Sequence, residues 1–258
     1  MINNSLYKLK DFLEEKYHKY NTTLFINNDP ISIPHKYHLK EDVEIAGFLA
    51  AMISWGNRKA IINSANKLML LMGNSPFDFV MNCNEKQLEK LNNFVYRTFN
   101  GEDCKFFVKS LRNIYQNYEG LEKVFSSESY FKWDAKIAII KFRKIFFSIN
   151  YNAHSLKHIS NPEKGSACKR INMFLRWMVR KDDKGVDLGL WHNIPVSKLI
   201  CPLDIHSARI SRKLNLLKRK SNDWQAALEL TEKLKQFDPY DPVKYDFALF
   251  GLGVFEKY

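Results

Sequence analysis

Apolar positions recur at helical spacing along most of the chain. Between residues 5 and 20, Leu6, Leu9, Phe12, Leu13 and Tyr17 share one face with charged residues behind it, which predicts an amphipathic helix. A loop follows over 21–40, marked by Asn27-Asn28-Asp29-Pro30 and Ile33-Pro34. The next segment, VEIAGFLAAMIS, is apolar nearly all round, so it predicts a central, buried helix, with Asp42 placed to cap it. It stops at Trp55-Gly56-Asn57. A second helix over 58–72 follows at once, its stripe carried by Ile61, Ile62, Ala65, Leu68 and Met69. Ser75-Pro76 opens a short helix, because proline suits a first helical position.

The second half continues in the same way. Phe106, Phe107, Leu111, Ile114 and Tyr115 set an amphipathic helix over 103–118, and 134–149 reads as another, basic one. The tract 150–164 is polar and irregular. A helix is predicted over 166–180, then a long insert over 181–198 containing Gly185, Gly189 and Pro195. Pro202-Leu203-Asp204 leads into the helix IHSARISRKLNL. A helix over 223–236 comes next, and VKYDFALFGLGVF closes the chain after a turn at Pro239 and Pro242. No alternating strand pattern, internal repeat or low-complexity tail is present. The expected class is all-α, with about ten helices.

Composition changes this picture little. With 258 residues, 45% hydrophobic and 26% charged, the chain has ample length for a packed core and argues against disorder. Charge adds more. Lys+Arg number 40 against Asp+Glu 28, a formal net charge of +12, which hints at a polyanionic partner. A genome rich in Lys and Asn codons produces a similar excess, so charge alone leaves both readings open. Cys83, Cys104, Cys168 and Cys201 are widely spaced with no CxxC pair, so no metal or iron–sulfur ligand set is read from them and free thiols are expected. The opening MINNSLYKLKDFLEE lacks a signal-peptide core, and no apolar run approaches a membrane span. A cytoplasmic protein without membrane attachment is expected.

Candidate chemistry centres on two helix starts. Gly165-Ser166-Ala167-Cys168-Lys169 is a glycine turn leading into a helix, and Asp204 opens a second one. Cations favour the last turn of a helix, so Lys169 in a first turn is out of place. The positive dipole end and partial burial both favour a neutral amine, the form that attacks an electrophilic carbon to give a Schiff base. A nearby aspartate could move protons or stabilise developing positive charge. Taken alone, Asp204 reads first as an N-cap and Lys169 as a solvated charge, because caps are far commoner than catalytic dyads. Trp177, Trp191 and Trp224 read as core aromatics, Lys218-Arg219-Lys220 as a solvated turn, and Arg176, Arg180 and Lys181 as a DNA-facing stripe or a soluble face.

GSACKRINMFLRWM followed by CPLDIHSARISRKLNL resembles the core of the helix-hairpin-helix DNA glycosylase superfamily. There a glycine hairpin precedes the helix bearing the catalytic lysine, and a later Pro-x-Asp opens a helix with the catalytic aspartate. Lys169 and Asp204 fall on those positions. EIAGFLAAMISWGNRKAIINSANKLMLLMGNSPFDFV resembles the first core helices and the loop that enters DNA, and GEDCKFFVKSLRNIYQNYEGLEKVF resembles the next helix pair. The likeness runs from Glu41 to Phe255. Within the superfamily it is closest to the archaeal 8-oxoguanine DNA glycosylase branch and related bacterial families. The long lysine-to-aspartate interval, the missing cluster cysteines and the ending PVKYDFALFGLG carry that likeness.

The resemblance implies a two-lobed fold with the active-site cleft between lobes that interleave in sequence. About 41–150 would form one lobe, and the N-terminal segment with about 165–258 the other. It implies a bifunctional glycosylase and AP lyase acting on damaged double-stranded DNA, excising an oxidised purine, most readily 8-oxoguanine. No cofactor or metal is implied, and a monomer acting on nucleoid DNA is expected. Asp246, Phe250, Met173 and Arg176 take the base-pocket positions. Gly165, Ser166, Arg170, Asn57, Arg58, Lys59 and His206 are the candidates for DNA contact, with Asn57 or Arg58 as a wedge into the duplex. The chain departs from the family at Ala167, where a second hairpin glycine is usual, at Lys164 for a common proline, and at Met173 for a stacking aromatic. The rivals are the same chemistry on another lesion, a non-catalytic nucleic-acid-binding protein, and a helical scaffold whose charge reflects base composition only.

Overall fold

The computed structural model describes residues 2–256 and 258, with side chains from residue 6 onward. Thirteen α-helices form among the described residues: α1 (Ile2–Tyr20), α2 (Thr23–Ile26), α3 (Lys40–Met52), α4 (Arg58–Leu71), α5 (Pro76–Asn82), α6 (Glu85–Glu89), α7 (Gly101–Asn117), α8 (Leu121–Phe125), α9 (Ala135–Phe146), α10 (Lys169–Val179), α11 (Ile205–Lys213), α12 (Trp224–Lys235) and α13 (Tyr245–Val254). Short 3-10 turns link many of them, and the only extended pairings among the described residues are two isolated bridges, Tyr96 with Phe99 and Ser166 with Asp223. The protein is all-α. The helices beyond the expected ten are pieces such as α2, α6 and α8, of 4, 5 and 5 residues, too short to show a period.

Helix starts follow local chemistry. Asn57 accepts the Ala60 N–H at 3.1 Å to open α4, and Asn100 and Asp103 form a reciprocal capping box at α7. Asp134, Asp204 and Asp223 cap α9, α11 and α12. The expected cap at Asp42 is a correction. The helix α3 begins three residues earlier, after Leu39, which offers no side-chain cap, and Asp42 Oδ1 instead accepts the Phe77 N–H at 2.8 Å. Asp42 therefore serves α5, across a tertiary contact, rather than its own helix.

The helix α3 is central, with Val43 to Met52 all buried. The one acid in that buried run, Glu44, is satisfied by Trp191 Nε1 at 2.7 Å and the Tyr115 hydroxyl at 2.6 Å. Burial raises this carboxyl, against the two hydrogen bonds. Phe48 meets Phe107, Phe142, Phe146 and Phe174, so one aromatic cluster joins α3, α7, α9 and α10. On the other side, α1 packs along α13 and α13 along α11, while α3 packs against α10. One buried core runs continuously from Leu13 to Leu252.

The polar-looking insert over 181–198 is partly core. Val186, Trp191 and Ile194 are buried, and its backbone caps the end of α10 through Leu188 N–H to Trp177 O and Trp191 N–H to Met178 O, both at 2.8 Å. Trp177 and Trp224 are buried too. All four cysteines are free and buried. No helix among the described residues is long and apolar enough to cross a membrane.

Candidate functional site

The helix α10 starts three residues later than its apolar pattern suggests, because the chain makes a hairpin first. Pro162–Lys164 forms a 3-10 turn that ends at Gly165 in the left-handed region, φ +80°. No atom lies within 4 Å of where a Cβ would stand, so conformation and not space calls for glycine there. The second left-handed residue is Cys168, φ 50°, and not Ala167. Ala167 therefore needs no glycine-like conformation. Cys168 is buried, and burial pushes its thiol up to about 12. The Ser166 hydroxyl accepts the Cys168 N–H at 3.2 Å, and α10 has no side-chain cap of its own. Lys169 is the first helical residue, half-buried, with its side chain in the wall of a cavity.

Asp204 is the N-cap of α11. Its Oδ1 accepts both the Ser207 N–H at 2.8 Å and the Ser207 hydroxyl at 3.1 Å, while Ser207 Oγ accepts the Asp204 N–H at 2.8 Å. The cap bonds end on one oxygen, and the half-buried residue also lines the cavity. The cap reading and the cavity reading of Asp204 therefore hold together.

The cavity has a volume of about 710 Å³. Nine of the residues singled out from sequence line it: Lys169, Asp204, Asp246, Phe250, Met173 and Arg176, with Asn57, Arg58 and His206. They come from α4, α10, α11 and α13 and the loop before α4, far apart in sequence. Gly165, Ser166, Arg170 and Lys59 do not line it.

The floor of the cavity is ionic. Arg176 pairs with Asp246 and, at 3.2 Å, with Asp187. One turn on, Arg180 holds Asp187 at 3.0 Å, Asp241 at 2.9 Å and Asp182 at 2.8 Å, and donates to the Tyr17 hydroxyl at 2.9 Å. Burial opposes the charge of Arg176, but Asp187 and Asp246 outweigh it and keep the guanidinium protonated. Burial pushes the Asp246 carboxyl up to about 7; Arg176 and Lys169 pull it down, and Asp204 pushes it further up. The charges of Lys169 and Asp204 are thus felt at Asp246.

Several of the candidates for DNA contact have partners inside the protein, and the surface stripe is a correction. Arg176 and Arg180 are 4% and 1% exposed, so they form no DNA-facing stripe; the buried aspartates hold them inside, and only Lys181 of the three is exposed. Arg170 donates to the Met52 carbonyl and lies 4.8 Å over the Trp55 ring, which ties α10 to the end of α3 and removes it as a free phosphate ligand. Burial pulls its guanidinium down to about 10. The Gly165 and Ser166 N–H groups bond to Pro162 O and Asn161 O at 3.1 and 3.2 Å, inside the hairpin. Arg58 does not project outward: its guanidinium lies 4.6 Å over Phe250 and 5.7 Å over Phe255. Asn57 is exposed but caps α4, whereas Lys59 and His206 are exposed.

Other wall residues were not singled out beforehand. Asp29 caps the 3-10 turn Pro30–Ser32 through the Ile31 N–H at 3.1 Å, and its buried carboxyl faces the cavity. Burial raises it, against that hydrogen bond and the charges of Arg58, Arg176 and Lys169. Phe25, Trp55 and Phe247 complete the aromatic wall, and Ile205, 77% exposed, stands at the rim. The Asp-Pro pair at 29–30 was legible as a turn, but nothing local in the sequence indicates that the turn folds against α3 and α4 and brings Asp29 to the cavity.

A family model described as "Protein of unknown function (DUF2400)" matches residues 29–255, and the chain belongs to that family. No curated protein and no solved structure matches the chain.

Proposed function

We propose that the protein is a DNA repair glycosylase with AP lyase activity, excising an oxidised purine, 8-oxoguanine above all, through a Schiff base on Lys169. One observation carries the reading. Lys169 and Asp204, each at the start of a helix, share one cavity with an aromatic, a thioether and a buried acid–guanidinium pair. In this reading the fold is the two-lobed helix-hairpin-helix glycosylase type, and the cavity lies in the cleft between lobes.

A base inside a duplex is out of reach, so the damaged nucleotide is flipped into the cavity at a cost of about a few kcal/mol in stacking and pairing. The net charge of +12 favours the phosphate backbone, with His206 exposed in the cavity wall and Lys59 exposed next to Arg58 on α4. The base lies against Phe250 and Met173, with the Arg58 guanidinium already on the Phe250 ring. Asp246 accepts hydrogen bonds from ring N–H groups, held in place by Arg176.

Lys169 Nζ attacks the sugar C1′ and the C1′–N bond breaks, its electron pair leaving with the base. Asp204 stabilises the positive charge on the sugar and takes the proton that Lys169 loses. The ring then opens to the protonated Schiff base. Loss of a C2′ proton expels the 3′ phosphate and nicks the strand, and water releases the lysine.

Borohydride trapping tests this directly, using a duplex with 8-oxoguanine, an undamaged control, and Lys169→Gln beside the wild type. A covalent adduct on the damaged duplex with wild type alone is expected. Absence of an adduct, with salt-dependent DNA binding intact, would sink the 8-oxoguanine lyase reading in favour of another lesion or a binding module.

A further inference from the structure

A cluster of two histidines and an aspartate lies apart from the cavity, where the polar tract 150–164 folds back on α7. The 3-10 turn Ala153–His158 brings His154 Nδ1 to 3.1 Å from Asp103 Oδ1 and His158 Nε2 to 3.1 Å from Asp103 Oδ2. The three donor atoms lie within 4.8 Å of one another. Asp103 and His158 are 1% and 2% exposed, whereas the His154 side chain is 39% exposed. The carboxylate is oriented by the Ser155 hydroxyl at 2.6 Å on Oδ1 and the Asn100 N–H at 3.0 Å on Oδ2.

We propose that Asp103, His154 and His158 form a binding site for a divalent first-row transition metal, of which zinc is the natural probe. Two imidazoles and one carboxylate are a donor set suited to such ions, and the two histidines stand four apart, within the usual ligand spacing. With ligands at roughly 2.0–2.1 Å from a tetrahedral ion, neighbouring donor atoms stand about 3.3 Å apart. Each imidazole nitrogen stands 3.1 Å from a different oxygen of the carboxylate, so whichever oxygen binds the ion has one nitrogen already close to that edge length and the other within 4.8 Å. The 3.1 Å separations are also longer than the roughly 2.7–2.9 Å expected of charge-assisted hydrogen bonds. Ser155 and the Asn100 amide supply the outer hydrogen bonds that such a carboxylate needs. The exposed edge of His154 provides an entry path and room for water as the fourth ligand.

Loading requires one proton to move on each imidazole. Lys157 Nζ lies 2.8 Å from His154 Nε2, and an ammonium can only donate, so the metal-free ring carries its proton on Nδ1. On loading, Nδ1 binds the ion, Nε2 takes the proton and the exposed Lys157 swings away. His158 Nε2 donates to Asp103 Oδ2 in the metal-free state, so on loading its proton moves to Nδ1 and Nε2 binds the ion in place of that bond. The ion would pin the turn to α7. It would also steady Trp55, whose ring stacks on His158 at 5.9 Å and whose side chain forms part of the cavity wall.

The test uses the full chain, stripped with a chelator and then dialysed against zinc or cobalt(II). Wild type is expected to retain one zinc per chain, to rise in melting temperature on zinc addition, and to show ligand-field bands with cobalt(II). His154→Ala, at an exposed position that leaves the fold intact by circular dichroism, is expected to lose affinity by about tenfold or more. Lys169→Gln is expected to bind as wild type does, which separates this site from the cavity. Zinc retention unchanged in His154→Ala, or no cobalt(II) bands in wild type, overturns the proposal.

Discussion

At Asp246 the balance between burial and charge sets a pH dependence. The folded carboxyl is raised to about 7, so between about pH 4 and 7 the folded state holds a proton that the unfolded state has released. A group that binds more protons when folded makes stability fall as pH rises, so its contribution is fully present below pH 4 and is lost through pH 7. Urea unfolding of wild type and Asp246→Asn across that range should show the wild type losing stability relative to the variant as pH rises. A difference that stays flat or runs the other way would mean that Arg176 keeps the carboxylate ionised throughout. The same residue scale explains Lys169. Its position at the start of α10 follows from two left-handed residues before it, Gly165 and Cys168, which bend the chain sharply enough to present the first helical side chain to the cavity.

Among the elements, α13 does the most to shape the site, since it carries Asp246 and Phe250 and packs against both α1 and α11. Its glycines permit this closeness. A Cβ at Gly251 would stand 2.0 Å from Tyr20 Cδ2, and one at Gly253 would stand 2.9 Å from His206 Cβ. Gly251→Ala should therefore push α1 away from α13 and cost roughly 1–3 kcal/mol, or more if Tyr20 cannot turn aside. The Tyr20 hydroxyl donates to Glu256 at 2.6 Å, which restrains that escape. Thermal unfolding would check this, and an unchanged midpoint would show that the α1–α13 contact is looser than its geometry implies.

Across the whole molecule, the Arg176 and Arg180 ion pairs connect parts that are remote in sequence. They join α1 through Tyr17, α10 itself, the insert through Asp182 and Asp187, the turn before α13 through Asp241, and α13 through Asp246. Removing one cation leaves buried carboxylates uncompensated. Arg176→Met should cost roughly 3–5 kcal/mol in urea unfolding at neutral pH. The loss should shrink in acid, where Asp246 is neutral. A loss below about 1 kcal/mol would mean that water enters the floor and screens these charges.

Local pattern alone determined a great deal. The run of apolar residues in α3 made it central, the stripes of α4, α7 and α9 placed their buried faces, and Asn57, Asp134 and Asp223 began helices where their side chains can cap. Lys169 and Asp204 were legible because each sits at an odd or marked place in a local signal. Arg176 and Arg58 do line the cavity. The cap at Asp42 and the surface stripe of Arg176 and Arg180 were misread, and the internal partners of Arg170 and Arg58 were missed, because a charged side chain does not reveal in sequence whether it meets solvent or a partner from another element. The same holds for Asp29 and for Asp103 with His154 and His158, where the contact closes a loop of about fifty residues. Periodicity and capping are interactions over three or four residues, so sequence carries them openly. Which buried charges meet, and what cavity they enclose, depends on how the helices pack, and only the tertiary structure decided that.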